Sequence, residues 1–157
     1  MTTNGKIETI NYRAAMPDEA PIVEAFWLEN GVDATPGWAT VVAERDERII
    51  GAVSARADEE NLIVGPLVVE KDAGRYVALR LIEKLELGLI GLGAKGYIFR
   101  MPPNLADSPW QLIILALANR GLVMDIGDDE NGDKWYLRSF DKTFAAQAKQ
   151  EMNNGTI

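Results

Sequence analysis

The segment Val68–Glu86, VVEKDAGRYVALRLIEKLE, runs from a β-branched apolar stretch through a short polar loop into residues with a helical period. Loops of this kind hold phosphates. The first turn of a helix presents backbone N–H groups that lack partners within the helix, at the positive end of its dipole. Such loops ordinarily carry several glycines, and this one carries a single Gly74 beside Arg75 and Tyr76. Gly74 supplies room for close approach and access to positive φ. Arg75 is either a charge-assisted partner for an oxyanion or a solvated side chain on the first helical turn. Tyr76 either turns outward and leaves the amides open or fills the space an anion would need. Basic residues are concentrated here. From Lys71 to Arg100 there are six (with Arg75, Arg80, Lys84 and Lys95 between) against three acids, Asp72, Glu83 and Glu86. That excess by itself suits a solvated helix face with partners at i,i+4 spacing more than a local anion site.

Proton chemistry is restricted by composition. The 157 residues include 0 His and no Cys, which excludes imidazole bases, thiol nucleophiles, disulfides and zinc sites built on those ligands. A reaction must use carboxylates, Tyr, Lys, backbone groups or water. Glu59 and Glu60, in the turn before the strand that feeds the loop, are the carboxylate candidates for a base; such turns also carry acids simply because they are solvated. Tyr12, Tyr97 and Tyr136 read as strand packing rather than as general acids. Trp27, Trp38, Trp110 and Trp135 are too scattered for a cofactor box and suit the core or a partner surface. The net charge of −8 argues against general nucleic-acid binding. No apolar run has the length of a bilayer span, and MTTNGKIETI has no signal-peptide pattern, so a cytoplasmic setting is expected.

The elements that must position these groups follow from periodicity and turn chemistry. Ile7–Arg13 alternates as a strand, and Met16–Gly31 reads as a helix with Ile22, Val23, Phe26 and Trp27 on one face and Gly31 as its stop. WATVVAER and RIIGAVSAR form a hairpin around Asp46-Glu47, and the turn ADEEN leads into LIVGPLVV. Gly65-Pro66 within that last strand marks an edge or a bulge, because proline cannot donate to a ladder. A helix is predicted from about Gly74 to Leu92, with Ala78, Leu81, Ile82, Leu85, Leu89 and Leu92 facing inward. YIFRM follows as a short buried strand. SPWQLIILALANRG is a second predicted helix, with Ser108 as N-cap, Pro109 at N1 and Gly121 beyond its end. LVMDIG and KWYLRSF close the pattern as a hairpin around DDENGD. Residues 141–157 are expected as a weakly helical or frayed tail. The order is β-α-β-β-β-α-β-α-β-β, an α/β (α+β) single domain with one mixed sheet, spanning residues 1–140.

That order, with GPLVVEKDAGRYVALRLI, resembles the GNAT superfamily of acyl-CoA-dependent N-acyltransferases over roughly Tyr12–Phe140. In that family a bulged fourth strand precedes a loop of the form Q/R-x-x-G-x-G/A that opens the next helix. The resemblance implies acetyl-CoA or another acyl-CoA as cofactor. Its pantetheine arm would lie along the backbone of Val68 and Val69, and its pyrophosphate on the amides of Gly74, Arg75, Tyr76, Val77 and Ala78. The acceptor would be an amine of a small molecule or a protein. Individual motif positions depart from the family. Aligned on Leu81-Ile82, the motif falls on Ala73–Ala78: Ala73 replaces Gln or Arg, Tyr76 replaces the first glycine, and Ala78 keeps a permitted residue. Leu117 stands where a proton-donating tyrosine is frequent, and Trp110 where an asparagine is. A degenerate loop opens the alternative that the chain is a non-catalytic binding, structural or assembly component of a larger particle. A homo-oligomer or assembly subunit fits either reading.

Overall fold

A computed structural model describes residues 9–59, 61–74, 76–101, 109–117, 120–141 and 150. The elements are β1 (Asn11–Ala14), α1 (Ala20–Glu29), β2 (Ala39–Arg45), β3 (Arg48–Asp58), β4 (Asn61–Val69), α2 (Val77–Gly91), β5 (Gly96–Met101), α3 (Pro109–Leu117), β6 (Val123–Asp128) and β7 (Lys134–Ser139). Their order is the one expected from the sequence. One seven-stranded sheet runs β1-β2-β3-β4-β5-β7-β6. Every neighbouring pair is antiparallel except β4 and β5, which are parallel.

Local chemistry explains most boundaries. Asp46 and Glu47 both take positive φ, 53° and 63°, which suits a two-residue hairpin turn matched to strand twist. Gly31 follows α1 at φ 83°, the left-handed stop expected of it. Some expectations need correction. The first helical segment opens as a 3₁₀ turn over Pro17–Glu19 before α1 begins. Ile22 is 55% exposed, because the buried stripe is Val23, Phe26 and Trp27 and Ile22 lies at its margin. Leu92 is 73% exposed, since α2 has ended at Gly91 and the helical period no longer sets its direction. Ser108 and nearly all of the tail lie outside the described residues.

The two faces of the sheet are covered differently. On one, Val23, Phe26 and Trp27 of α1 pack on Val42, Ala52 and Val68. On the other, α2 lays Val77, Ala78, Leu81, Ile82, Leu85 and Leu89 against Val53, Val64 and Leu67. Gly51 permits that approach: a Cβ there would stand 2.9 Å from Leu81 Cδ1 and 3.3 Å from Val77 Cγ1. An aromatic stack joins α3 to the sheet. Trp110 lies on Phe99 at 4.0 Å between ring centroids, and Tyr136 flanks Phe99 at 5.5 Å.

Arg13 on β1 forks onto Glu19 at 2.7 and 2.8 Å and reaches Glu44 of β2 at 3.1 Å, tying the sheet edge to the entry of α1. Glu19 also accepts the Met16 amide at 2.8 Å. The Arg13 guanidinium, then that amide, hold the Glu19 carboxyl down at about 2, against an ordinary value of 4.5. A carboxyl depressed in the folded state contributes stability above its unfolded value and loses it as pH falls through the folded one. Glu19→Gln is therefore expected to cost about 1 kcal/mol at pH 7, a figure set by the partial exposure of the pair. The difference between variant and parent should shrink from pH 5 downwards and vanish near pH 2, as read by urea unfolding at each pH.

Candidate functional site

The site grows out of the way β4 is built. Val53 of β3 opposes Leu67, but Ala55 opposes Val64, so Ser54 faces the two residues Gly65 and Pro66. This is the bulge expected from the sequence, with a cis peptide bond between its two residues. Ser54 is buried, and its hydroxyl is fully engaged. It accepts the Gly37 amide at 2.6 Å, shares a hydrogen bond with Thr40 Oγ1 at 3.0 Å, and lies 3.3 Å from the Ala39 carbonyl.

Beyond the bulge, β4 keeps its ladder with β3 only. Its pairing with β5 is at one position, Ile63 opposite Ile98, whereas β5 pairs with β7 at six, from Gly96–Ser139 to Met101–Lys134. The Glu70 amide donates to the Ile50 carbonyl at 2.8 Å, which orients that amide towards β3. By the alternation of a strand, the backbone groups of Leu67 and Val69 then face the β5 side. An extended ligand entering between β4 and β5 would meet strand backbone there.

The same strand delivers the chain to α2 through Glu70–Tyr76. Ala73 is buried in the core, and its amide bonds the Glu70 carbonyl at 3.0 Å. Its side chain therefore anchors the loop from below, an anchoring role for the residue that replaces Gln or Arg in the motif. Gly74 has φ 108°, a backbone conformation closed to most other residues, and open space where a Cβ would stand. Val77 and Ala78 are buried in the core, and the Val77 amide donates to the Gly74 carbonyl at 3.4 Å, closing the loop onto the helix start. Tyr76 is the N-cap residue of α2, makes no side-chain capping bond, and is 66% exposed. Its ring is turned outward, not packed into the core. Arg75 lies outside the described residues. The Arg48–Glu70 ion pair flanks the end of β4. The helix begins at Val77, three residues later than its period alone suggested, because Gly74 at positive φ cannot belong to it.

The carboxylate candidates lie elsewhere. Glu59 is exposed at φ 55° in the turn joining β3 and β4, at the end of β4 opposite the loop; Glu60 lies outside the described residues. Leu117, which has no polar side-chain group, is half-buried against the core, and Trp110 is buried in the aromatic stack. Among the described residues there is no cluster of three or more potential metal ligands, and no helix is long and apolar enough to cross a membrane.

A polar cluster not singled out in the sequence lies behind α2. Glu86 receives Arg138 through two bonds, at 2.9 and 2.8 Å, and the Tyr97 hydroxyl at 2.7 Å. All three side chains are buried. Arg138 also donates to the Ser139 carbonyl and stands 5.3 Å from the centre of the Phe140 ring. Burial, then the Glu86 carboxylate, push the Tyr97 hydroxyl well above its ordinary range, so it stays protonated as a donor. The cluster pins α2 to β5 and β7. Its signal was present in the sequence: Glu86 occupies an inward position of the helical period, four residues after Ile82 and three before Leu89.

No protein-family model and no curated protein sequence matches the chain. Solved structures do. A diaminobutyrate acetyltransferase of Paenibacillus lautus, in complex with L-2,4-diaminobutyric acid and coenzyme A, superposes with a TM-score of 0.66 at 14% identity, covering 84% of this chain and 95% of its own. An aminoglycoside 6'-N-acetyltransferase of Enterococcus faecium gives 0.61 at 15% identity, over 82% and 96% of the two chains. A GNAT-family acetyltransferase of Staphylococcus aureus gives 0.60 at 12% identity, over 85% and 100%. What the chain shares with them is the fold: a mixed sheet with a bulged strand, one parallel pair of strands paired at one point, and a loop opening the next helix. The chain has the GNAT fold.

Proposed function

We propose that the protein is an N-acyltransferase that takes acetyl or another acyl group from acyl-CoA and passes it to an amine of a small molecule or protein. The observation that carries this reading is the exposure of Tyr76 at a helix start where the N-cap residue makes no side-chain capping bond, directly after a strand whose last residues pair with β3 and, among the described residues, not with β5. The structural neighbours include one bound to coenzyme A and another to acetyl-CoA, which supports the cofactor class. When bound, acyl-CoA would supply a thioester whose carbonyl carbon an amine attacks, with loss of the thiol.

The chain's own part in this is binding and orientation. The amides of Gly74, Arg75, Tyr76 and Ala78 would hold pyrophosphate, and the backbone of Val69, with that of Leu67, the pantetheine arm; Val68 faces β3, and the Val77 amide donates to the Gly74 carbonyl at 3.4 Å. The positive end of the α2 dipole adds to the attraction. Neither β4 nor β5 carries a carboxylate. Glu59 lies roughly 20 Å along the extended chain from Gly65, too far to act as the base directly or through one bridging water, so the amine's proton would pass to solvent water. The acidic protein, net −8, favours a cationic acceptor at long range.

Thermal unfolding with CoA and acetyl-CoA tests the reading. A ligand at 100 times its Kd stabilises a two-state domain by about 2.7 kcal/mol, and for a chain of this size that raises Tm by roughly 5–10 °C. The rise is expected with both ligands at millimolar concentration, followed by release of free thiol when acetyl-CoA is mixed with a diamine. No rise with either would overturn the proposal. A rise without thiol release across a panel of amines would leave a CoA-binding protein and not an enzyme.

A further inference from the structure

The sheet is weakly joined at its middle. Strands β1 to β4 form one well-paired half and β5, β7 and β6 another, and among the described residues the backbone ladder joins them only where Ile63 meets Ile98. Past that point β4 continues to Val69 and β5 to Met101, parallel strands with no further pairing between them. Tyr97 immediately precedes Ile98, so its hydrogen bond to Glu86 lies at the closed end of this cleft. Arg138 stands opposite Tyr97 in the β5–β7 ladder. Glu86 thus takes both partners from one half of the sheet, at 2.7, 2.8 and 2.9 Å. The helix that carries Glu86 is seated on the other half. Val77 and Leu81 lie so close over Gly51 of β3 that a Cβ there would meet both.

We propose that Glu86 is a positioning residue for the ligand in the cleft: bound to Tyr97 and Arg138, it sets the angle at which β5 leaves β4, and with it the fit of an extended arm between them. The identity of that arm rests on the acyl-CoA reading above. Apolar contacts also cross the join, the stack of Trp110 on Phe99 among them, but they are non-directional and fix an angle less sharply than hydrogen bonds do. Charge-assisted bonds converging on one carboxylate are short and directional, and a buried network with its members satisfied holds a single geometry. Against apolar side chains of the same volume, a buried ion pair adds little stability; what this one adds is a defined position for β5 and β7 relative to α2. The two parts of the ligand would feel the clamp differently. The loop from Glu70 to Tyr76 joins β4 to α2 and so belongs to one half, whereas an arm lying between β4 and β5 touches both.

Two variants of the full chain test it, each studied at a temperature where it is folded. Tyr97→Phe keeps the ring and removes only the hydroxyl; Glu86→Gln keeps the shape and removes the charge that Arg138 meets. The chain has no Cys, so spin labels can be placed at Glu83→Cys on α2 and Arg100→Cys on β5, both exposed positions. With Tyr97 and Glu86 intact, electron–electron resonance should give one narrow distance distribution, and each variant a broader or shifted one. Calorimetry on the unlabelled chains supplies the second reading. The Kd for CoA should rise about threefold in Tyr97→Phe and about tenfold in Glu86→Gln, while that for ADP, which has the pyrophosphate and no arm, stays within about twofold. Distances unchanged in both variants would overturn the clamp. CoA and ADP weakened alike would make the cluster structural only, and overturn it as well. A parent that binds no CoA overturns the acyl-CoA reading and this inference with it, whereas variants that bind CoA as tightly as a binding parent overturn the inference alone.

Discussion

Glu86→Ala is expected to destabilise the fold by roughly 3–5 kcal/mol and to lower Tm by about 10 °C or more. The size follows from what the change leaves behind. Arg138 would remain buried with its guanidinium facing no carboxylate, and Tyr97 would lose the acceptor of its hydroxyl. Removing one partner of a buried ion pair is costly, because the survivor keeps its desolvation penalty without compensation. A domain of ordinary stability has only about 5–15 kcal/mol in total, so this one truncation removes a large part of it. The pair itself is a weaker asset than that loss suggests. Glu86→Leu combined with Arg138→Met is expected to recover a substantial part, since two apolar side chains of similar volume leave no buried charge. Urea unfolding of the two single variants and the double variant decides the matter. Costs that simply add would show that the ion pair is not the unit.

Tyr76→Asp should stabilise the protein and weaken its hold on CoA at once. A carboxylate at the start of α2 meets free amides and the positive end of the helix dipole, a gain of about 0.5–1 kcal/mol over a residue with no capping bond. The same carboxylate occupies the ground proposed for pyrophosphate and repels it. A tenfold or greater rise in the Kd for CoA is expected, at least about 1.4 kcal/mol lost from binding. Tm in the absence of ligand should rise slightly, while the ligand-induced shift collapses. Titration calorimetry and thermal unfolding measure the two effects on one sample. A variant that is more stable yet binds CoA as well as its parent would move the phosphate site away from this loop. The opposite signs matter, because damage to the fold would lower both quantities together.

Much of the architecture is local chemistry, legible in short runs of residues. Helical period over Ala78–Leu89, alternation along the strands, the Asp46-Glu47 hairpin, the Gly31 stop and the Gly65-Pro66 bulge each depend on a few neighbouring residues. Composition alone excluded imidazole and thiol chemistry. Where local rules ended, they ended for identifiable reasons. Leu92 carried on the helical period of its predecessors but follows the last turn, so its side chain is exposed. Glu86 was counted among the charges of a solvated face, although its period pointed inward. Only tertiary structure supplied its partner, Arg138, 52 residues further along the chain. The direction of Tyr76 and the single pairing between β4 and β5 are of the same kind. Periodicity fixes which way a residue faces within its own element. What waits there is decided by how distant elements pack, and by the burial cost that each polar group must offset when they do.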